Sequence, residues 1–395
     1  MVSYTNTLEN ENSWKLSNIV NIILYYFSPI LAFIIFSFPE IFNGNAYLIL
    51  GIALVSPYGI NYISKKKKYI RCPLFFLFYV FFGSLMNLLN TSNSIGGSIL
   101  LFGVFFLALF FIENVKTGMI MSALYLIYLY LFLYKNIFIE GTDPNFIYEE
   151  LGLSRNHPGC LIVSFLCFYA FLKYMVMGKL PLILPILGVI LTFSLEGRSS
   201  FGVTIAIAFV CLVFRSSKKS HLIFYLFLLI GVLSYFWEDL MGFYTLSRLS
   251  EKGTDNSARD VIWSAYFSNI DLFSCILGLD AENVKGLSVY GGNPHNSFLN
   301  FHRRMGLIGL LALLWIMVFS IKKYLKNKQY IPIIFIFLYI VRIFFDTVLV
   351  STFDFIFFTM LFYSTIKGID FYPYKKLVPS RNIFKKTFYG IINVL

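Results

Sequence analysis

The sequence predicts an all-α polytopic membrane protein with about twelve transmembrane helices and one large loop on the outer side of the membrane. Three observations support this fold class. The chain has 395 residues, of which 58% are hydrophobic and 13% are charged, whereas a soluble domain has about 25% charged residues. The mean hydropathy is +0.74. Apolar segments of roughly 20 residues, the length that crosses a bilayer, recur along the chain.

The apolar segments divide the chain into spans and loops. The sixth to eighth and the last two are so closely spaced that re-entrant or broken helices are an alternative to full spans. We expect one integral membrane domain over residues 1–395, with outer loops at about 136–158 and 238–301 and a Lys-rich tail at about 369–395. The longer loop is large enough for a small helical cap but not for a separate enzyme domain. The predicted spans are residues 19–39, 46–64, 72–90, 95–113, 118–135, 159–178, 180–195, 199–215, 221–237, 306–325, 330–350 and 352–368.

The distribution of charge predicts the orientation of the chain. The four lysines at 65–68 and Arg71 mark a cytoplasmic loop, and threading the spans from there places both termini inside. This orientation puts 22 of the 32 Lys and Arg residues inside and 16 of the 20 acidic residues outside, as the positive-inside rule requires. The net charge of +12 therefore reflects membrane topology. Because no basic soluble domain is present, we exclude a nucleic-acid partner.

The first candidate for chemistry is Arg198, in the stretch TFSLEGRSSFGVT between two apolar segments on the outer side. A Gly-Arg-Ser-Ser turn that opens a helix offers free backbone N–H groups and a guanidinium. That combination suits a phosphate or a pyrophosphate. The alternative is an interfacial arginine whose side chain reaches the lipid headgroups.

A second candidate lies in the long outer loop, where an amphipathic helix is predicted from Ser257 onward. Arg259, Trp263 and Tyr266 follow one another at three- and four-residue steps, so they share one helix face. An arginine with aromatic neighbours can bind a sugar or a phosphate. Alternatively, Trp263 only packs the cap against the bilayer surface.

The third candidate is the stretch NPHNSFLNFHRRMGLIGLL, residues 293–311, at the edge of a membrane helix. A helix is predicted to begin near Asn296 and to continue into the tenth span. His295 and His302 would then share a face, with Arg303 and Arg304 beside them. A histidine is the usual general base near neutral pH. The alternative is that His295 caps the helix and the other three side chains bind headgroups.

Charged residues also occur inside the last two spans. Arg342 and Asp346 are four residues apart and should pair, because an unpaired charge inside a membrane is costly; Asp354 follows in the next span. Charged residues inside a membrane are candidates for a functional site, but a purely structural ion pair between Arg342 and Asp346 is equally consistent with their spacing. The four His residues lack the spacing of metal ligands, and no nucleotide-binding motif is present. We therefore expect neither a metal nor a cofactor.

Taken in order, these stretches resemble the O-antigen polymerase (Wzy) and O-antigen ligase (WaaL) superfamily. LEGRSSFG at 195–202 resembles its Ser-Arg-Gly motif, although Glu196 and Gly197 depart from the usual order. ARDVIW at 258–263 resembles an Arg-x-x-x-Trp element. HNSFLNFHRRMGLIGLL at 295–311 resembles the His-Asn signature and is the most specific match. RNHPG at 155–159 is a loose match, and the resemblance as a whole covers about residues 155–314.

The resemblance implies a membrane-embedded, GT-C-like glycosyltransferase of the bacterial inner membrane that works on the periplasmic face without a metal. Arg198 would hold the donor pyrophosphate, and Arg259 would neutralise charge as the leaving group departs. His295 would position or deprotonate the acceptor hydroxyl. Arg303 and Arg304 would bind a second lipid pyrophosphate. Further candidates for substrate binding are Asn296, Trp263 and Arg342.

The resemblance favours a polymerase, whose donor and acceptor are both oligosaccharides linked to undecaprenyl pyrophosphate. Expected partners are these lipid-linked sugars, membrane lipid and, as a further candidate, a chain-length regulator protein. A ligase that transfers the polysaccharide to the lipid A core is the nearest alternative. Alternatives of other classes are a lipid-oligosaccharide flippase, which would have shorter loops, and a structural partner in an export complex, which would leave the outer Arg and His residues unexplained.

Overall fold

The computed structural model describes residues 23–38, 41–42, 44–66, 70–89, 96–143, 146–147, 156–195, 198–215, 259–290 and 292–367. Within these ranges every regular element is a helix. π-Helical turns at Ile23–Phe27 and Lys135–Ile139 precede the first helix and extend the fifth, and a 3₁₀ turn covers Ser288–Tyr290. The α-helices are α1 (Ser28–Ser37), α2 (Asn45–Lys65), α3 (Arg71–Asn87), α4 (Gly96–Glu113), α5 (Val115–Tyr134), α6 (His157–Met177), α7 (Ile183–Ser194), α8 (Arg198–Arg215), α9 (Arg259–Ser268), α10 (Leu272–Leu277), α11 (Ser297–Lys326), α12 (Tyr330–Phe344) and α13 (Asp354–Lys367).

Five helices in these ranges are long and apolar enough to cross a membrane: α2, α4, α5 with its π-helical extension, α6 and α11. Several shorter helices, among them α3, α7 and α12, are also strongly apolar. Many large apolar side chains on the outside of the bundle are exposed, for example Phe78 on α3 and Ile183 on α7. A surface of this kind belongs to a protein whose solvent is lipid. The chain is an α-helical membrane protein.

Helices occupy eleven of the twelve segments that the sequence predicts as spans, and the ninth, residues 221–237, lies outside the described residues. α11 begins at Ser297, as predicted for a helix that starts near Asn296 and continues into the tenth span. Most other boundaries differ from the prediction by only a few residues, but one differs by more. α12 ends at Phe344, so the predicted span 330–350 is too long. Residues 345–353 form no helix because side chains of other elements bind their backbone.

The centre of the bundle consists of α4, α6 and α13. Almost every residue of α13 is buried. Aromatic rings fill the space between these helices and α1: Phe33 meets Phe111 and Phe355 at centroid distances of 5.5 and 5.7 Å, and Phe111 meets Phe168 at 5.7 Å, mostly edge to face. Such pairs add to the stabilisation from burial alone.

The ends of three helices meet at one end of the bundle. The Glu113 carboxylate at the end of α4 accepts bonds from the Tyr62 hydroxyl of α2 and the Lys367 ammonium of α13, each at 2.6 Å. Since α13 begins at Asp354 and ends at Lys367, its first residue marks the opposite end. That opposite end carries the candidate site.

A small cap covers the opposite end. It consists of α9, α10 and the chain up to α11, and it belongs to the predicted outer loop 238–301, of which residues 238–258 lie outside the described part. The cap has an apolar core of its own, which explains how so short a segment holds its shape. The buried members of this core are Ile262, Tyr266, Leu279, Ala281, Val284 and Leu287.

α11 is broken at Gly306, where φ is +62° and ψ is −173°. A Cβ atom at this position would lie 2.5 Å from the carbonyl oxygen of Ile276 in α10, so both the backbone angle and the close contact require glycine. The break frees carbonyl groups in the preceding turn. Asn87 of α3 binds one of them, since its Nδ2 donates to Arg303 O at 2.9 Å.

Candidate active site at the cap end

A non-helical segment between α12 and α13, the strap (residues 345–353), forms the base of the site. Its backbone makes few of the regular bonds that a helix would supply, so its polar groups need side-chain partners. Donors on α9 and α11 bind three of its carbonyl oxygens: Arg259 Nη2 donates to Phe345 O (2.9 Å), Ser297 Oγ to Asp346 O (2.7 Å) and Asn300 Nδ2 to Leu349 O (3.0 Å).

Acceptors on α11 and α13 bind the N–H groups of the strap. The Ser297 hydroxyl accepts from Val348 N at 2.8 Å, and the Asp354 carboxylate accepts from Val350 N at 2.8 Å. Val350 has a φ of +65°, which is rare for a β-branched residue. The strap is thus held in a strained shape by side chains from both sides, and strain of this kind is concentrated at functional sites.

His295 lies directly before α11 and is not part of it. Asn296 is the N-cap of α11, and its Oδ1 accepts from Phe298 N and Leu299 N at 2.9 and 3.1 Å. His295 has a left-handed backbone with a φ of +47°. The prediction that His295 shares a helix face with His302 is therefore wrong, because the chain turns at the cap before the helix begins. The predicted start of the helix near Asn296 is confirmed.

The side chain of His295 is half-buried. Burial lowers the pKa of His295 below its usual value; the Asp346 carboxylate opposes this shift, and the Arg259 guanidinium adds to it. A histidine with a lowered pKa is uncharged at neutral pH. It can therefore accept a proton there.

Arg342 and Asp346 form the ion pair that their spacing predicts, with Nη2 and Oδ2 2.9 Å apart. Arg342 is completely buried, and its Nη2 also donates to Asn156 O at 3.4 Å. Its Nε and Nη1 find no acceptor among the described residues. Asp346 is the more exposed partner and lies beyond the end of α12. The complete burial favours a supporting role for Arg342 over direct contact with a substrate.

Arg259, Trp263 and Tyr266 share one face of α9, as their spacing predicts, and this face is turned toward the strap and the start of α11. The Trp263 indole donates to Pro294 O at 2.9 Å, next to His295. The Arg259 guanidinium lies 5.7 Å from the centre of the Phe345 ring. α9 therefore holds the strap and the His295 turn together.

His302 has a structural environment. Its Nε2 donates to Cys275 O at 2.7 Å, because a carbonyl can only accept. Its Nδ1 is then the acceptor for the Tyr266 hydroxyl at 2.8 Å. Both ring nitrogens are occupied, so His302 ties α9 and α10 to α11 and is not available as a base.

Arg303 and Arg304 lie on the same turn of α11 but have different surroundings. Arg303 is buried under the cap, with Nη1 3.9 Å from Glu282 Oε1, and its Nε and Nη1 form no hydrogen bond within the described ranges. Arg304 is half-buried and lies within electrostatic reach of Asp354. Arg304 is thus the more accessible of the two cations.

Arg198 is the first residue of α8, and its side chain lies outside the part of the chain that the structure describes. Its backbone can be placed: a Cβ atom at Gly159 of α6 would lie 2.7 Å from the Ser200 hydroxyl, so α8 and α6 begin side by side. Asn156, the residue before α6, accepts from Arg342. The start of α8 is therefore at the same end of the bundle as His295.

The structure brings Arg259, Trp263, His295, Asn296 and Arg342 together around the strap, and places Arg303 and Arg304 one to two turns further along α11.

Sequence reasoning missed several polar partners of this group. Asn293, Ser297 and Asn300 belong to a stretch that was singled out for its His and Arg residues. Their amide and hydroxyl groups, which can bind backbone groups, were the feature of the sequence that could have indicated their role. His157 lies in RNHPG, the loose match at 155–159, and Thr347 lies in none of the quoted motifs. His157 lies within electrostatic reach of Arg342 and Asp346.

Comparisons of the chain with models of protein families, with curated proteins and with solved structures find no match.

Proposed function

We propose that this protein is a polymerase of O antigen or of a related surface polysaccharide, a Wzy-type member of the superfamily that its motifs resemble. It would join oligosaccharide repeat units that are linked to undecaprenyl pyrophosphate. The observation that carries the proposal is the position of His295. It is a half-buried histidine with a lowered pKa, held outside the helix at one end of an apolar bundle. Arg259 and the start of α8 lie at the same end.

The proposal includes the topology that the charges predict: twelve spans in a bacterial inner membrane, both termini in the cytoplasm and the site on the periplasmic side. The end of the bundle at which Glu113 binds Tyr62 and Lys367 would then face the cytoplasm. In support, the ends of α2, α5 and α11 near that side carry exposed lysines, such as Lys65, Lys116 and Lys326. A lipid-linked substrate would lie with its tail in the bilayer and its sugar at the cap.

The reaction needs little covalent chemistry from the protein. The bond between the donor sugar and its pyrophosphate breaks, and the acceptor hydroxyl oxygen forms the new glycosidic bond. His295 takes the hydroxyl proton, and undecaprenyl pyrophosphate leaves with the bonding electrons. Arg198 and Arg259 neutralise the charge that develops on this leaving group. Positioning and electrostatic stabilisation supply most of the rate in such a mechanism.

The remaining candidate residues have roles consistent with their contacts. Arg304 would bind the pyrophosphate of the acceptor lipid, with Arg303 adding positive charge beneath the cap. Asn296 and Trp263 would shape the site, since their polar groups already bind the backbone beside His295. Arg342 would support the site through Asp346. Membrane lipid surrounds the bundle, and a chain-length regulator protein is the proposed protein partner.

The test is a lipopolysaccharide gel of a strain without this gene, complemented with the wild type or with His295→Ala. If the protein is a polymerase, the strain without the gene should make core with a single repeat unit, and only the wild type should restore the ladder. Bare core, with long chains still on the carrier lipid, would identify a ligase instead. Repeat units that stay on the cytoplasmic face would identify a flippase. An unchanged ladder in the null strain would overturn the proposal for lipopolysaccharide.

Two further variants sharpen this test. Arg198→Lys should be impaired, because a lysine cannot form the two parallel bonds that an arginine makes to a pyrophosphate. His221→Ala serves as the matched control, since the proposed topology places His221 on the cytoplasmic side, and it should make a normal ladder. The amount of each variant in the membrane is measured by immunoblot, so that loss of activity is separated from loss of protein.

A further inference from the structure

We propose that Asn293 and Thr347 are positioning residues that fix His295 against the strap and connect it to the ion pair of Arg342 and Asp346. This inference rests on the proposed function for its catalytic meaning. The contacts themselves do not depend on it. Asn293 opens the candidate stretch 293–311 but was given no role there, and Thr347 lies in none of the quoted motifs. Neither residue touches the reacting atoms in the proposed mechanism.

The two residues meet at one oxygen atom. Asn293 Oδ1 accepts from the backbone N–H of His295 at 2.9 Å and is also in contact with the Thr347 hydroxyl. Because the His295 N–H can only donate, the atom that it meets must be the amide oxygen, and the Thr347 hydroxyl must then donate as well. The amide orientation of Asn293 is thus set by its two partners.

The contact with Asn293 gives His295 its unusual backbone. A left-handed φ of +47° is uncommon for a histidine and needs compensation from its surroundings. An Asn side chain that accepts from the N–H two residues later provides it, in the manner of an Asx turn. Without this bond the turn would relax, and the His295 ring would point elsewhere.

Thr347 extends the connection into the bundle. Its own N–H donates to Asp346 Oδ1 at 2.8 Å, and Asp346 Oδ2 is bound by Arg342 Nη2 at 2.9 Å. An unbroken series of bonds therefore leads from the fully buried Arg342 through Asp346, Thr347 and Asn293 to His295. The buried end is rigid because the pair cannot separate without leaving a charge unpaired. The turn at His295 is therefore held in place by a rigid part of the bundle.

The experiment measures His295 directly in the full-length protein in membranes. Diethyl pyrocarbonate modifies uncharged imidazole, so the rate of His295 modification across pH, followed by peptide mass spectrometry, reports both the access to the ring and its proton affinity. Thr347→Val removes the hydroxyl at nearly constant shape, whereas Thr347→Ser keeps it. Asn293→Ala removes the acceptor. Asn283→Ala, at an exposed position of the cap, is the matched control.

We expect Thr347→Val and Asn293→Ala to increase the modification rate of His295 several-fold and to move its pH midpoint upward. A freer ring would be more hydrated and further from Arg259, while Asp346 of the strap would still favour the charged form; Arg342 and His157 lie behind that carboxylate. Thr347→Ser and Asn283→Ala should match the wild type. In polymer synthesis, the two disruptive variants should lose about 10- to 100-fold in kcat with little change in KM.

Unchanged modification of His295 in both Thr347→Val and Asn293→Ala would overturn the positioning role, even if the protein proved to be a polymerase. Conversely, altered modification in a protein that makes no polymer would sustain the positioning role and contradict the proposed function. If Thr347→Ser behaved like Thr347→Val, the hydroxyl bond would be refuted as the cause. The two proposals therefore fail in distinguishable ways.

Discussion

His295 combines three properties that bear on its role. It has a left-handed backbone, a half-buried ring and charged neighbours of both signs. The N-cap role that sequence reasoning allowed for it belongs to Asn296. Asn296, and not His295, therefore satisfies the N–H groups at the start of α11.

The lowered pKa of His295 predicts the pH dependence of the proposed reaction. An ordinary histidine has a pKa of about 6.5, and a base must be uncharged to act. Polymer synthesis in membranes should therefore stay high below pH 6.5 or so and fall only when the pH drops through the lower pKa of His295. The measurement is the initial rate against pH with intact lipid-linked substrate. A fall in rate centred at a pH above the ordinary histidine pKa would contradict the assignment of His295 as the base.

The ion pair of Arg342 and Asp346 predicts an asymmetric result in mutagenesis. Asp346→Leu leaves a fully buried guanidinium without its carboxylate, which should cost about 3–5 kcal/mol of stability. The double variant Arg342→Met with Asp346→Leu removes both charges and should recover much of this loss. Thermal inactivation of the purified protein in detergent is the measurement. A double variant as unstable as Asp346→Leu alone would show that packing, rather than the lone charge, is responsible.

At the scale of the element, α11 is the helix that organises the cap end. Its start was predictable, because an Asn followed by an apolar periodic stretch is a typical N-terminus. Its break was not, because the helix that starts near Asn296 was predicted to continue into the tenth span (306–325) without interruption. The angle at Gly306 is dictated by the close approach of α10, which belongs to a separate part of the sequence.

Gly306→Ala should destabilise the protein by about 1–3 kcal/mol, because alanine is strained at a positive φ and its Cβ would collide with Ile276 O. Gly202→Ala in α8 is the matched control, since a Cβ there meets nothing within 4 Å. It should change stability by less than about 1 kcal/mol. Both variants are compared by their thermal midpoints in detergent. Equal midpoints for the two variants would argue against a strained break.

The strap shows where prediction from the sequence ends. Residues 345–353 contain apolar and β-branched residues, so the pattern predicts that the eleventh span continues to residue 350 and that the twelfth begins at residue 352. Their non-helical shape depends on Ser297 and Asn300, on Arg259 of the cap and on Asp354 of the next helix. Contacts between segments so far apart in the chain leave no periodic signal.

At the scale of the whole molecule, composition was the strongest source of information. It predicted an all-helical membrane protein, and helices occupy eleven of the twelve predicted spans. It could not place the helices relative to one another. That α4, α6 and α13 form the centre follows from the packing of their aromatic rings, which sequence hydropathy alone does not distinguish from rings that face lipid.

The proposed orientation of the molecule can be tested with added cysteines. Asn283→Cys in the cap should react with a membrane-impermeant maleimide in intact cells with a permeabilised outer membrane, because the cap would face the periplasm. Lys116→Cys at the start of α5 should react only after the inner membrane is opened. Both positions are exposed, and the parent chain with its five cysteines gives the background. The reverse pattern of labelling would invert the topology.

The position of the strap in the chain has a consequence for biosynthesis. The ribosome makes the cap and His295 first, and the strap and α13 only afterwards. Until α13 has entered the bundle, the Asp354 carboxylate cannot accept from Val350 N, and the Lys367 ammonium cannot donate to Glu113. A translation product released before that moment carries the proposed base without its anchors. The strap and the contact between α13 and α4 are thus complete only after the last described helix has been made.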